Sequence, residues 1–267
     1  ATDQRLFPAC ARSVPRWLGP VFQVRSIAAC RPASRIGGSF WRMGMSTPKY
    51  SLDQSLVVCE IFKSIQGEST WAGWPCTFVR LTGCPLRCVW CDTKYAFHEG
   101  EKLSIADILA RVDALGCRLV EITGGEPLCQ EACPALAQAL LDAGKTVLCE
   151  TSGAWPIDVL PAGVIRIMDL KCPGSGECDK NDWTNIDKLS SQDEVKFVIA
   201  DRADYEWTRE VVRRYKLAER CRAVVLSPVW GTIDPRCIAE WVLDDELPVR
   251  FQVPLHKVIW PTAERGR

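Results

Sequence analysis

Histidine is scarce in this chain: 267 residues carry only His98 and His256, and neither lies in a paired Cys…His zinc pattern. Net charge is missing as well. The 33 Lys and Arg are matched by 33 Asp and Glu, so no chain-wide field draws the protein to nucleic acid or to a membrane surface. No apolar run approaches the roughly 18 residues of a spanning helix, so no transmembrane segment is expected. After residue 50 there is no internal repeat and no low-complexity tract. What remains is an ordinary globular composition, 47% apolar and 25% charged, on a chain long enough to bury a sizeable core.

Acid is scarce in one place. Residues 1–50 hold eight Lys and Arg against the single acid Asp3. Such a leader reads as an organellar transit peptide, as a disordered tail, or as sequence upstream of a start at Met43 or Met45. The expectation is a basic, disordered or non-native extension over 1–50 and one domain over 51–267.

Cysteine is plentiful, with 15 in the chain. In a small secreted protein that count would mean disulfides. Here the chain is long and shows no convincing secretory signal. Cys59, Cys149 and Cys221 sit inside apolar strand-like runs, where a free thiol behaves as a small hydrophobe. A reducing cytoplasm fits better.

From residue 56 the pattern alternates. "LVVCEIF" (56–62), "CTFVRL" (76–81), "RLVEIT" (118–123), "TVLCE" (146–150), "VIRIMDL" (164–170), "EVKFVIA" (194–200) and "AVVLS" (223–227) read as strands. Helices are expected over 104–116, 133–144, 203–217 and 235–243. The first has Ser104 as N-cap, Asp107 three residues on, and Gly116 as its stop. Strands and helices in alternation, with near-continuous apolar strands, imply a parallel sheet covered by helices. Six strands counted from residue 76 suit an α/β partial (β/α)6 barrel, with an open doubly wound sheet as the competitor. In both, ligands bind beyond the carboxyl ends of the strands.

Those ends are informative. After the strand at 76–81 comes "GCPLRCVWCDT" (83–93), with Cys84, Cys88 and Cys91 in one short loop. Three thiolates there can wrap one metal centre, yet a cubane cluster normally takes four protein ligands. A three-cysteine zinc site and chance clustering are the rival readings. Later strand ends carry "GGEP" (124–127), "TSG" (151–153), "KCPGSGE" (171–177) and "PVWG" (228–231), each weak alone. The pairs Cys129/Cys133 and Cys172/Cys178 raise an auxiliary cluster, but no further ligands stand at a recognisable spacing.

The C-x3-C-x2-C loop followed by G-G-E-P resembles the radical S-adenosylmethionine (SAM) superfamily. "SIQGEST" (64–70), "ETSG" (150–153), "DLKCPGSGE" (169–177), "LSPVWG" (226–231) and "FQVPLHKVIW" (251–260) narrow the resemblance to the 7-carboxy-7-deazaguanine synthase family, of queuosine and 7-deazapurine biosynthesis. It covers roughly residues 56–261. One departure is Pro254, which stands where the family motif has a residue able to donate a hydrogen bond, and which puts local strand pairing over 251–255 in question.

The resemblance implies a lyase with a [4Fe–4S] cluster, SAM and Mg²⁺. Cys84, Cys88 and Cys91 would hold three irons, leaving the fourth for SAM, whose reductive cleavage gives a 5′-deoxyadenosyl radical. Trp90, Cys91, Asp92 and Gly125 would border SAM, with Asp169, Leu170, Lys171, Ser227, Pro228, Val229 and Trp230 lining the rest of its site. Turn residues without a ligand are the competing reading for these last positions. The implied substrate is 6-carboxy-5,6,7,8-tetrahydropterin, met by Ile65, Gln66, Gly67, Glu68, Arg80, Thr123 and His256. Gln66 is expected to read a pterin edge, with Glu68 accepting from its N–H groups. Thr93 would hold Mg²⁺ once substrate supplies further oxygens. The resemblance also implies a homodimer served by a reducing, flavodoxin-like electron donor. Two other readings stay open. One is a different radical SAM enzyme, such as an activase that places a glycyl radical on a protein. The other is an iron–sulfur electron-transfer or zinc-binding protein.

Overall fold

The structure is a computed structural model that describes residues 50–263 and 265–266. The expected disordered extension falls, but for Tyr50, outside the described residues. The Tyr50 hydroxyl donates to Asp142 Oδ2 at 2.9 Å.

Nine strands form one sheet. In chain order they are β1 (Ser55–Ile65), β2 (Pro75–Leu81), β3 (Glu101–Ser104), β4 (Leu119–Gly124), β5 (Thr146–Thr151), β6 (Ile165–Asp169), β7 (Glu194–Ile199), β8 (Ala223–Pro228) and β9 (Arg250–Phe251). Their order across the sheet is β3-β1-β2-β4-β5-β6-β7-β8-β9. From β2 to β9 every pairing is parallel, while β1 runs antiparallel to both β2 and β3. The six strands expected from residue 76 onward are thus β2 and β4 to β8. The short β3 and β9 carry too few residues to show a period.

The helices are α1 (Ile105–Leu115), α2 (Cys133–Asp142), α3 (Arg202–Tyr215), α4 (Leu217–Arg220), α5 (Pro235–Asp244) and α6 (Leu255–Ile259). α1 opens on a capping box: Ser104 Oγ accepts from Asp107 N, and the Asp107 carboxylate accepts from Ser104 N. It ends on Gly116 at φ 73°, a left-handed turn that a side chain would disfavour. Pro254 lies between β9, which stops at Phe251, and the first turn of α6. Its missing N–H is harmless there, and no strand reaches it. No helix among the described residues is long and apolar enough to cross a membrane.

Period two along each strand makes two cores. Val79, Val120, Ile122, Val147, Met168, Val195, Phe197 and Leu226 face the helices in the main core. On the other face, Cys76, Phe78, Leu119, Leu148 and Ile167 form a second apolar cluster with Phe62, Trp71 and Ile165. Its members sit toward the amino ends of the parallel strands. Trp71 comes from the β1–β2 loop, which is pinned inside by Thr70, whose N–H and hydroxyl both donate to the buried Glu194 of β7. Side chains of β2 and β8, with four strands between them in the sheet, line one cavity above this cluster, so the sheet curves into a partial barrel.

Candidate active site at the carboxyl ends of the strands

The cavity holds about 450 Å³. Just above the apolar cluster, the inward positions of four successive strands carry charge: Glu121 on β4, Glu150 on β5, Asp169 on β6 and Lys196 on β7. Lys196 is the hub. Its Nζ lies 2.8 Å from Glu68 Oε2 and 3.5 Å from Asp169 Oδ2, and it also pairs with Glu150. Burial alone would push the ammonium down, yet Glu150, Glu68 and Asp169 outweigh burial and raise it well above its usual range. Burial likewise opposes ionisation of Glu150, but Lys196 draws its carboxyl down to about 2. Glu121 goes the other way. Full burial, then the neighbouring charge of Glu150, raise it well above the ordinary carboxylate range.

Gln66 departs from expectation. Its side chain is buried, with Oε1 accepting from Glu68 N at 2.6 Å and Nε2 donating to Glu121. Gln66 lines the cavity, and its amide also braces the loop, so a ligand would meet only the hydrogen-bonding capacity that these two bonds leave. Arg80 Nε is bound to Glu60 Oε1 at 2.8 Å, and Tyr95 OH donates to the same oxygen at 2.9 Å. This leaves the outer nitrogens of the guanidinium fork for the cavity. Thr123, Ile65, Gly67 and Glu68 line the same space.

The two ends of the domain meet here. Leu255 N donates to Gly67 O at 2.8 Å, and a Cβ on Gly67 would overlap His256 Nδ1. Burial draws His256 below its ordinary pKa, which favours the neutral imidazole. Gly67→Ala should therefore displace His256 and raise the KM for substrate about tenfold while leaving bound iron unchanged. Equal KM values in steady-state kinetics would show that the contact does not matter.

At the mouth, Cys84, Cys88, Trp90, Cys91, Asp92 and Thr93 line the cavity, and Thr93 Oγ1 lies 3.8 Å from Cys91 Sγ. Asp92 Oδ2 pairs with Lys257 Nζ of α6 at 3.0 Å. Gly125 passes so close to this loop that an added Cβ would meet Gly83 O and lie 2.7 Å from Cys84 Cβ. Glu126 N donates to Gly83 O at 2.8 Å, and the buried Glu126 carboxylate accepts from Leu128 N, Thr151 Oγ1 and Ser152 N, locking the ends of β4 and β5 together. Lys171 Nζ lies 3.0 Å from Asp169 Oδ2, while Asp169 Oδ1 is buried without a partner. Ser227, Pro228, Val229 and Trp230 also line the cavity. Leu170 does not. Alternation puts its side chain, fully buried, on the helix-covered face between Asp169 and Lys171.

Three thiols in one loop, with no fourth beside them in the cavity lining, suit an iron–sulfur cluster that keeps one iron open. Among the described residues no three His, Cys, Asp or Glu side chains are gathered around one point as a metal ion would require. The described cysteines are all free thiols, and Cys133 and Cys172 are buried in the main core, away from any auxiliary site.

A curved β/α sheet with a cysteine loop after its first parallel strand has the architecture of a radical SAM domain, and residues 78–232 match the Radical SAM superfamily. The 7-carboxy-7-deazaguanine synthase of Koribacter versatilis is 45% identical over 223 residues, covering 78% of this chain and 99% of that relative. The enzyme of the same name from Chlorobaculum tepidum is 43% identical, covering 81% of this chain and 99% of its own. The crystal structure of QueE from Escherichia coli shares the fold, with a TM-score of 0.63 at 24% identity over 76% of this chain and 95% of that one. The chain belongs to the 7-carboxy-7-deazaguanine synthase family. It is a radical SAM lyase, with a [4Fe–4S] cluster and SAM as cofactors.

Proposed function

We propose that this chain converts 6-carboxy-5,6,7,8-tetrahydropterin to 7-carboxy-7-deazaguanine with loss of ammonia, in queuosine and 7-deazapurine biosynthesis. The observation that carries the reading is the contact of the Gln66–Glu68 loop with His256 inside a radical SAM cavity, because these two segments set the family apart. Cys84, Cys88 and Cys91 would hold the cluster, which together with SAM supplies one-electron chemistry for hydrogen abstraction. Trp90, Asp92, Gly125, Asp169, Lys171 and Ser227 to Trp230 would face SAM. The unpartnered Asp169 Oδ1 offers an acceptor to a bound donor there.

The chain's own groups suit a small anionic heterocycle. Arg80 presents a fixed cation for the substrate carboxylate. Glu68 and Glu150, both paired with Lys196, accept from pterin N–H groups. Thr123 and neutral His256 complete the polar wall. Thr93 would bind Mg²⁺, and one hydroxyl is too few for it without substrate oxygens, so metal and substrate bind together. We further infer a homodimer in the cytoplasm, reduced by a flavodoxin-like donor. Residues 51–267 would form the working domain.

The test is anaerobic reconstitution, reduction, and addition of SAM, Mg²⁺ and the carboxytetrahydropterin. Formation of 7-carboxy-7-deazaguanine is the expected outcome. Its absence from protein that carries a reduced cluster would sink the proposal.

A further inference from the structure

Two loops meet at Cys88, and only one of them carries the Cys84–Cys88–Cys91 triplet. Arg87 N donates to Glu177 Oε1 at 2.7 Å, and Val89 N donates to Ser175 O at 3.0 Å. The backbone amides on both sides of Cys88 are therefore held by the turn that follows β6. The Arg87 guanidinium folds back over the Phe97 ring at 4.4 Å and donates to the carbonyl of Leu86 at 2.7 Å.

That turn reads as flexible Gly-rich sequence, "CPGSGE", yet it is bound at several points. Ser175 Oγ donates to Cys172 O at 2.6 Å and accepts from Glu177 N at 3.1 Å. Gly176 sits at φ 77°, which glycine tolerates and which lets the chain reverse. Gly174 N donates to Asp204 Oδ1 of α3 at 2.8 Å. Asn181 closes the base, accepting from Lys171 N and donating to Lys171 O, both at 2.9 Å. Glu177 is thus carried by a braced segment into a charge-assisted bond, which is roughly twice as strong as a neutral one. Neither Ser175 nor Glu177 lines the cavity.

We propose that Glu177 is a positioning residue for the cluster: its carboxylate fixes the cysteine loop at the residue before Cys88 and sets a negative charge beside that ligand. The inference rests on the radical SAM reading of the loop. It gives Glu177 two separable effects. The hydrogen bond holds Cys88 in place for its iron, as outer partners of metal ligands do. The charge disfavours an added electron and so lowers the reduction potential.

Variants divide the two effects. Glu177→Gln keeps an acceptor and loses the charge. Glu177→Ala loses both. Glu177→Asp keeps the charge and shortens its reach. Each is reconstituted anaerobically, challenged with a ferrous chelator, and titrated for midpoint potential by electron paramagnetic resonance. Glu177→Ala should lose iron about tenfold faster than wild type, the lower end of the usual cost of losing such a partner. Glu177→Gln should lose iron at the wild-type rate with a raised potential, and Glu177→Asp should lose it faster without that rise. Wild-type iron loss in both the Ala and Asp variants, or an unshifted potential in Gln, overturns the proposal. A wild-type chain that takes up no cluster overturns the radical SAM reading and this inference with it.

Discussion

Cys88→Ala protein, reconstituted anaerobically and reduced, is expected to show no resonance of a reduced cluster and no SAM cleavage, whereas Cys129→Ala and Cys178→Ala keep both. The contrast follows from placement. Cys84, Cys88 and Cys91 line one cavity mouth. Removing one leaves two thiols, too few to hold a cubane cluster against loss of iron. Cys129 is exposed and its thiol donates to Glu126 O at 3.0 Å, while Cys178 sits on a turn 4.0 Å from Asn181 Nδ2. Neither lines the cavity. SAM cleavage retained by Cys88→Ala would mean that the triplet has been misassigned.

The second large effect belongs to Lys196→Met. The substitution leaves Glu68, Glu150 and Asp169 without their shared cation in a site where Lys196 is itself only 8% exposed in its side chain. Breaking a buried ion pair from one side costs about 3–5 kcal/mol, because the remaining charge stays buried. Denaturant unfolding at pH 7 should show a loss of that order. The contribution of Glu150 to the pH dependence should also change sign. In the wild type, Glu150 is held down near 2, below the ordinary carboxylate value. Its share of stability is present at neutral pH and is lost as pH falls through that folded value. In the variant, burial lifts the Glu150 carboxyl above its ordinary value. The folded state then binds the extra proton, and stability should rise as pH falls from 7 toward 5. A variant whose stability between pH 7 and 5 changes no differently from that of the wild type would show that Lys196 does not set the ionisation of Glu150. Addition of Glu150→Gln to Lys196→Met should recover part of the loss, since it removes one uncompensated charge.

How much of this could be read in the sequence depends on what carries the signal. The six parallel strands were legible because each is a short, β-branched apolar run ending at a polar or glycine-bearing turn. The cysteine loop was legible because its three ligands are neighbours in the chain. Lys196, Glu121 and Glu150 were not picked out as site residues, although each is a lone charge inside an apolar strand: "EVKFV", "LVEIT", "VLCET". A parallel strand should be apolar on both faces, so such a charge faces something other than a core. Their coincidence on the same inward row was the available signal, and only strand register makes it visible. Leu170 is the reverse case: "DLK" is continuous in sequence, but alternation allows only the side chains of Asp169 and Lys171 to face the cavity. The loop sequence offers Gln66 as a reader of a ligand edge, and its bonds to Glu121 and Glu68 N, made across the barrel and within the turn, have no local signature. The clamp from Glu177 to Arg87 spans 90 residues, and local pattern gives no hint of it.

The loop that brings Trp71 beneath the charged row has a consequence for traffic. With Thr70 anchored to Glu194 and Trp71 packed against Leu119, Leu148 and Ile167, the amino ends of the strands are stoppered. The cysteine loop and the turns after β4, β6 and β8 ring the opposite end, above Lys196 and Glu121. Whatever enters the cavity therefore comes and goes through the ring of turns at the carboxyl ends.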